Sequence, residues 1–443
     1  MTDCDLLVIH AGELFTPFVD AEPRRIFHLR TAGAVGGPEQ EAVQRLADGA
    51  IAVVGETIAE VGTTAELFAR WSPRETLDAC GDLVTPSFTD PHTHLAFAGE
   101  RLAEFSARMS GRSMTGLDTG IASTARATEA ASDEELVGLI RRRLDALLLA
   151  GVSLVEIKSG YALTAEGELR LLRLARRAAE DHPVEVVTTV LAAHALPSGY
   201  EGRAGAYLEA VAWPVTEQAR RDALAEFADV FVEPDLFPVD VAEPYLRRAA
   251  ESGLGIRIHA DQLTHSGGAA LAARLRAASA DHLERMSPED APALAAAGTV
   301  AVLAPGAVLT MEGRGSARPP AAALAQAGVP IALATDFNPG SSTLTSPALC
   351  LGLACRLFGM TPEAAWVAMT ANAAASLGRG RTRGRLGAGY RADFCVWQGV
   401  MRAADLAYHL DAPRPRDVVV AGKRLVRGGK WVSSASEVTP LFE

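Results

Sequence analysis

The residues best placed to do chemistry are two histidines in Asp90-Pro91-His92-Thr93-His94. Alternation along an extended strand puts residues i and i+2 on one face, so both imidazoles can point to one spot. Two convergent imidazoles suit a divalent cation such as zinc or iron. In a chain with ten histidines a single His-x-His is a common coincidence. The pair gains weight from two distant residues that each close a short apolar run. These are His259 in Ile256-Arg257-Ile258-His259 and Asp336 in Ala332-Leu333-Ala334-Thr335-Asp336. Taken singly, either reads as an ordinary residue at the start of a loop. Together with His92 and His94 they make a mononuclear site with room for water, which is the open coordination of a hydrolytic metal.

Such a site needs elements that bring residues 92 and 336 together. Short apolar runs rich in Val, Ile and Ala alternate with helical stretches such as 133–150 and 164–181. This alternation predicts βα units and a parallel sheet. Eight candidate strands cover 83–94, 152–158, 184–194, 230–233, 255–259, 278–282, 300–303 and 331–336. Seven of the eight end at a polar or ionisable residue: His94, Lys158, His194, Glu233, His259, His282 and Asp336. The seventh strand instead runs into Pro305-Gly306. Parallel strands buried on both faces should be apolar throughout, and in a (β/α)8 TIM-type barrel their C-terminal ends form the rim where chemistry is done. The expected fold class is therefore α/β, with the barrel at 82–384. Short β-like runs at 6–10, 50–54, 393–396, 418–420 and 431–432 predict a small β-sandwich module made by both termini, 1–81 and 385–443. The polar stretch 23–44 reads as an irregular insertion.

The 443 residues suffice for a barrel plus a smaller module. A net charge of −12 repels nucleic acid and anionic membranes, so an anionic substrate would need a dedicated local cation. No run of about 18 apolar residues is present to span a bilayer, and the acidic start Met-Thr-Asp-Cys-Asp lacks the pattern of a secretory signal. The cysteines, at 4, 80, 350, 355 and 395, are odd in number, scattered and free of any Cys-x-x-Cys. They predict neither a disulfide framework nor a thiolate zinc site, and a cytoplasmic location is expected. His10, His28, His182, His265 and His409 lack partner patterns and read as surface or structural residues.

Six motifs, taken in order, carry a resemblance. They are Asp90 to His94, Lys158-Ser159-Gly160-Tyr161, Ala193-His194-Ala195, His259-Ala260-Asp261-Gln262, Ser279-Ala280-Asp281-His282 and Ala334-Thr335-Asp336-Phe337-Asn338-Pro339-Gly340. From about residue 83 to 378 the chain resembles the imidazolonepropionases, a family of the metal-dependent amidohydrolase superfamily. The resemblance implies hydrolysis of the cyclic amide of 4-imidazolone-5-propanoate to N-formimidoyl-glutamate in histidine degradation. It implies one divalent or trivalent metal ion, zinc or iron, on His92, His94, His259 and Asp336. It places substrate contacts at Arg101, Tyr161, His194, Asn338, Gly340 and Ser341, catalytic work at His282, Asp336 and Gln262, and a homodimer as the assembly. Binuclear relatives carry a bridging lysine on the fourth strand, which Val230-Phe231-Val232-Glu233-Pro234 lacks, so one metal is expected.

Physical chemistry agrees with several of these roles. Arg101 can form a two-pronged pair with a propionate carboxylate, and Tyr161 can donate to it. Without the resemblance, Arg101 also reads as a solvated loop residue and Tyr161 equally as a packing residue. Gln262 stands where many superfamily members carry a proton-shuttling glutamate. An amide is neither acid nor base near neutrality, which moves the proton work to His282 and Asp336. It also tells against the main alternative, a related deaminase acting on a purine-like or guanidine-like compound. A non-catalytic barrel used as a binding scaffold is disfavoured because all four ligands are present. The loops at 117–121 and 308–312 depart from the family pattern.

Overall fold

In the computed structural model, residues 1–17, 32–113, 115, 117–311, 317–411 and 413–432 are described. Residues 23–31 of the polar stretch, His28 among them, and Glu312 of the 308–312 loop lie outside these. The alternating pattern folds into eight parallel strands: β1 (Phe88–Asp90), β2 (Val152–Lys158), β3 (Glu185–Ala193), β4 (Phe227–Val232), β5 (Gly255–Ala260), β6 (Ser279–His282), β7 (Val300–Leu303) and β8 (Ile331–Leu333). Each pairs with its neighbours in chain order. The circle is completed beyond the ends of β8 and β1. There Thr93 and Phe337 form a parallel bridge, Asp336 N–H donates to the His92 carbonyl (3.1 Å), and His94 N–H donates to the Phe337 carbonyl (2.9 Å).

The connecting helices start where the sequence provides caps. Ser132 accepts from Glu135 N–H ahead of the helix Asp133–Leu149, whose first turn carries three acids facing the positive end of its dipole. Thr164 does the same for Ala165–Ala179. The buried faces of both helices are leucine- and alanine-rich and pack on the strands in one large core.

Two sheets lie outside the barrel. One has four strands, Thr57–Thr63, Gly49–Val54, Thr2–Ala11 and Trp71–Asp78. The other has seven, from Lys430–Trp431 through Lys423–Arg427, Asp417–Val420, Phe394–Trp397, Leu83–Pro86 and Glu13–Pro17 to Val43–Leu46. Leu6, Val8, Ile51 and Ile58 of the first share a core with Leu14, Val84, Phe394 and Val419 of the second, so chain segments from both termini close one sandwich.

Three expectations need correction. The first candidate strand, 83–94, is two strands. Leu83–Pro86 pairs with Phe394–Trp397 in the terminal sheet, and the chain enters the barrel only at Phe88. Pro86 has no N–H to continue a ladder, and Ser87 N–H is taken by the Asp393 carbonyl. The last strand stops at Leu333 rather than at 336, because Asp336 adopts a left-handed backbone (φ 51°) that no strand accommodates. The described part of 23–44 is also more regular than expected. A 3₁₀ turn at Gly37–Glu41 buries Gln40, whose amide pairs with both backbone groups of Ile331, and Val43–Leu46 adds a strand to the terminal sheet.

Candidate active site

The barrel mouth gathers the residues singled out from the sequence. His92 and His94 flank the bridging Thr93, so their side chains point the same way. The Asp336 Oδ1 atom lies 3.5 Å from His92 Nε2 and 3.6 Å from His94 Nε2. Ligand atoms of His92, His94 and His259 all lie within 4.8 Å of one another, as do those of His92, His282 and Asp336. All five side chains are buried. The Nε2 atoms of His92 and His259 are buried and have no hydrogen-bond partner. Buried polar atoms are normally satisfied, so these convergent lone pairs, with one carboxylate oxygen among them, fit a single cation. Burial, before any other influence, holds His92 and His94 well below the ordinary imidazole pKa, which leaves them as neutral donors.

The partners behind the imidazoles set their direction. Asp281 Oδ2 lies 2.6 Å from His92 Nδ1, and Asp229 Oδ2 lies 3.0 Å from His259 Nδ1. The Asp281 bond keeps the proton of His92 on Nδ1 and leaves its Nε2 free to bind a metal, and Asp229 sits close enough to His259 Nδ1 to favour the same orientation. Beneath them is a fully buried ionic layer. Lys158 Nζ donates to Asp229 (2.8 Å) and Glu156 (2.9 Å), and Arg257 reaches Glu156 (3.1 Å) and Asp281 (3.3 Å). Burial would favour neutral acids here. The cations together with His259 overcome it, and both Asp229 and Asp281 are held below the usual carboxylate range. This layer escaped the sequence reading. Its signal was present as charged residues inside apolar strands, as in Ile256-Arg257-Ile258.

On the side of the mouth after β1, Arg101 is half-buried. Its Nε donates to Thr124 Oγ1 (3.0 Å), and its Nη2 atom is buried without a partner. Thr124 belongs to the helix Gly120–Ala130, which grows from the unusual 117–121 loop, so that loop helps to aim Arg101. Gly340 lies opposite, where a Cβ would crowd the tip of the Arg101 side chain. Tyr161 is buried, and burial, which outweighs the nearby Arg101 charge, raises its pKa, so it stays a neutral donor. Its loop is held by Glu168, whose carboxylate accepts from the N–H groups of Gly160, Ala162 and Leu163 (2.6 to 2.8 Å). His194 stacks on His94 (5.1 Å between ring centres) and donates from Nδ1 to the Gly160 carbonyl (2.9 Å). Its Nε2 is thereby the acceptor facing the mouth.

The strand-8 loop is cross-linked by its own side chains. Asn338 spends its amide on Asp336 O (2.6 Å) and Ser341 Oγ (2.9 Å), and its carbonyl accepts from Gly340 and Ser341 N–H (both 2.8 Å). Ser341 Oγ in turn donates to Asp336 Oδ2 (3.2 Å). Asn338 thus braces the ligand loop. His282 has a left-handed backbone (φ 81°), a conformation that costs energy and is typical of functional positions. Burial opposes its charge, but Glu284, Asp336 and Asp281 outweigh that and push its pKa up to about 9. Gln262 is half-buried in a cleft beside it, with Glu284, Ala307 and Val308. His10, His182 and His265 pair with Asp78, Asp145 and Asp261, away from the ligand cluster, and His409 is exposed.

Residues 110–426 match the model of the amidohydrolase family. A protein of a Ruegeria species named imidazolonepropionase is 46% identical over 383 residues, 86% of this chain and 94% of that protein. One of the same name from Pseudomonas putida is 44% identical over 381 residues, 85% of this chain and 94% of that protein. Among solved structures, an adenosine deaminase from Xanthomonas campestris with bound zinc superposes with a TM-score of 0.65. It covers 98% of this chain and 95% of its own at 18% identity, a likeness of fold.

Proposed function

The chain belongs to the imidazolonepropionase family of the amidohydrolases, and from that premise we propose how its own residues carry out the family reaction. It is a hydrolase of C–N bonds that opens imidazolone propionate in histidine degradation. The deaminase alternative has less support. The observation that carries the residue assignment is the convergence of partnerless His92 and His259 Nε2 atoms on Asp336, with the partnerless Arg101 nitrogen on the same mouth.

One zinc or iron ion on His92, His94, His259 and Asp336 would activate water and polarise the ring carbonyl. Arg101 pairs with the propionate carboxylate and Tyr161 donates to it, supplying the cation that the acidic chain otherwise lacks. His194 Nε2 accepts a ring N–H. Gly340 and Ser341 line the strand-8 side, where Asn338 acts by holding the loop. The water oxygen bonds to the carbonyl carbon while a carboxylate oxygen of Asp336 takes the water proton. Protonated His282 donates to the oxygen that gains charge. The C–N bond then breaks, and the proton held on Asp336 passes to the departing ring nitrogen. The formimino group stays attached and no ammonia leaves. Gln262 orients substrate or water through hydrogen bonds alone.

Residues 82–384 are proposed as the catalytic barrel and 1–81 with 385–443 as the module, the segment Leu83–Pro86 crossing into the module's sheet. A homodimer, a small anionic substrate, no nucleic-acid partner and a cytoplasmic location complete the reading, drawn from family membership, charge and the scattered cysteines. No helix among the described residues is long and apolar enough to cross a membrane. The test is to incubate metal-loaded protein with imidazolone propionate while following ring absorbance and ammonia. Loss of absorbance without ammonia is expected. Stoichiometric ammonia would overturn the proposal in favour of a deaminase.

A further inference from the structure

We propose that Glu284 is a positioning residue that holds the His282 imidazole in its working orientation, so that the two side chains act as one unit at the barrel mouth. This rests on the reading of His282 as the donor to the oxygen that gains charge. The backbone is built to deliver Glu284 there. His282 (φ 81°) and Leu283 (φ 68°) are consecutive residues in the left-handed region, which turns the chain sharply as it leaves β6. On either side of Glu284 the backbone is pinned to the end of β5. Leu283 N–H donates to the Ala260 carbonyl (3.0 Å) and Arg285 N–H to the Asp261 carbonyl (2.7 Å).

The side chain that this turn presents does little for packing. Glu284 is only 6% exposed, yet its Oε2 atom has no hydrogen-bond partner. Its Oε1 atom lies 3.6 Å from His282 Nδ1, a nitrogen that has no hydrogen-bond partner of its own. Leaving a buried carboxylate oxygen unsatisfied costs stability, as do two left-handed side-chain-bearing residues in a row. Both costs fall beside His282, the side chain that Glu284 faces. The separation is longer than a finished hydrogen bond, and contacts of this kind shorten when a site closes on its substrate. The other carboxylates near His282 are committed elsewhere, Asp281 to His92 and Arg257 and Asp336 to Ser341 and the ligand cluster. Among the described residues lining the cleft beside His282, Glu284 supplies the one carboxylate.

The test compares zinc-loaded wild-type enzyme with Glu284→Ala and Glu284→Gln. It uses steady-state kinetics on imidazolone propionate and ¹⁵N-histidine NMR, with His282→Asn assigning the resonance. Glu284→Ala is expected to lower kcat about ten- to a hundred-fold, as loss of orienting partners does, while KM and zinc content stay within two-fold. The His282 Nδ1 signal should shift in that variant, because the carboxylate facing it is gone. Glu284→Gln keeps an acceptor oxygen in the same place, so it should recover part of kcat and of the Nδ1 signal. It also decides the matter if the alanine variant does not fold. A rise in KM with kcat unchanged would make Glu284 a substrate contact and overturn the proposal. So would an unaltered Nδ1 signal in Glu284→Ala. If the wild type fails to open imidazolone propionate, the functional reading falls, and the NMR comparison still judges the Glu284–His282 contact alone.

Discussion

Phe88 at the base of β1 and His92 just beyond its top are four residues apart and obey opposite rules. At its base Phe88 stacks on Trp366 (5.1 Å between ring centres) and meets Trp397 edge-on (5.7 Å). There every polar handle is taken: Trp366 Nε1 donates to the Ala403 carbonyl and Trp397 Nε1 to Thr85, both at 2.8 Å. At its top His92 offers a buried nitrogen with no partner, close to Asp336 and backed by ions. The base is an interior that has finished bonding, whereas the mouth is one still waiting for a ligand. At the mouth, partnerless buried atoms of His92, His94, His259 and His282 gather in one place, which neither burial nor charge alone marks out.

That contrast can be broken or sharpened by substitution, beginning with the largest effect. His259→Ala should strip the metal and lower kcat/KM by on the order of a thousand-fold or more, read by metal analysis beside kinetics. Trp366→Ala should do the reverse, costing about 3–5 kcal/mol of stability in urea titrations without altering KM. A KM change there would mean that base and mouth are not separable. Arg101→Ala should raise KM by about a hundred-fold, the worth of a charge-assisted pair, while kcat falls far less.

Asp229→Asn should weaken metal binding by about ten- to a hundred-fold in chelator competition. It carries a pH signature as well. Because His259 and Lys158 hold Asp229 below its ordinary value of 3.8 in spite of burial, its contribution to folding is complete above that pH and fades as pH falls below it. The metal-free variant should lack that part of the acid-induced loss of stability. Smallest of all, Glu217→Ala breaks an exposed pair with Arg221, and the urea midpoint should shift by the equivalent of less than about 1 kcal/mol.

The barrel and the ligands were legible because their signals are local. His-x-His spacing, the ends of apolar runs and the helix caps each lie within a few residues. The ionic layer was hidden for a definite reason: Asp229 sits inside β4, before the run 230–233 that hydrophobicity alone marks out, and its partner Lys158 is on β2. Pairings of that kind exist only once the sheet is formed. Glu284 was invisible because its meaning depends on two left-handed residues that have no sequence signature. Asn338 was assigned to substrate by resemblance, while its four hydrogen bonds inside the loop point to bracing. The split of 83–94 was readable in Pro86, had its missing N–H been given more weight than the apolar character around it.

The closure between the first and last barrel strands is made by the ligand-bearing segments themselves, through the backbone bonds of His92, His94 and Asp336. A cation shared by those side chains is therefore also a clasp on the molecule's one topological seam. During synthesis, residues 92 and 94 wait for almost the whole barrel to emerge before their fourth ligand arrives. A nascent chain that ends short of residue 336 lacks both the closing bonds of the seam and Asp336, so with the proposed ligand set metal loading would report that the last barrel strand has been made.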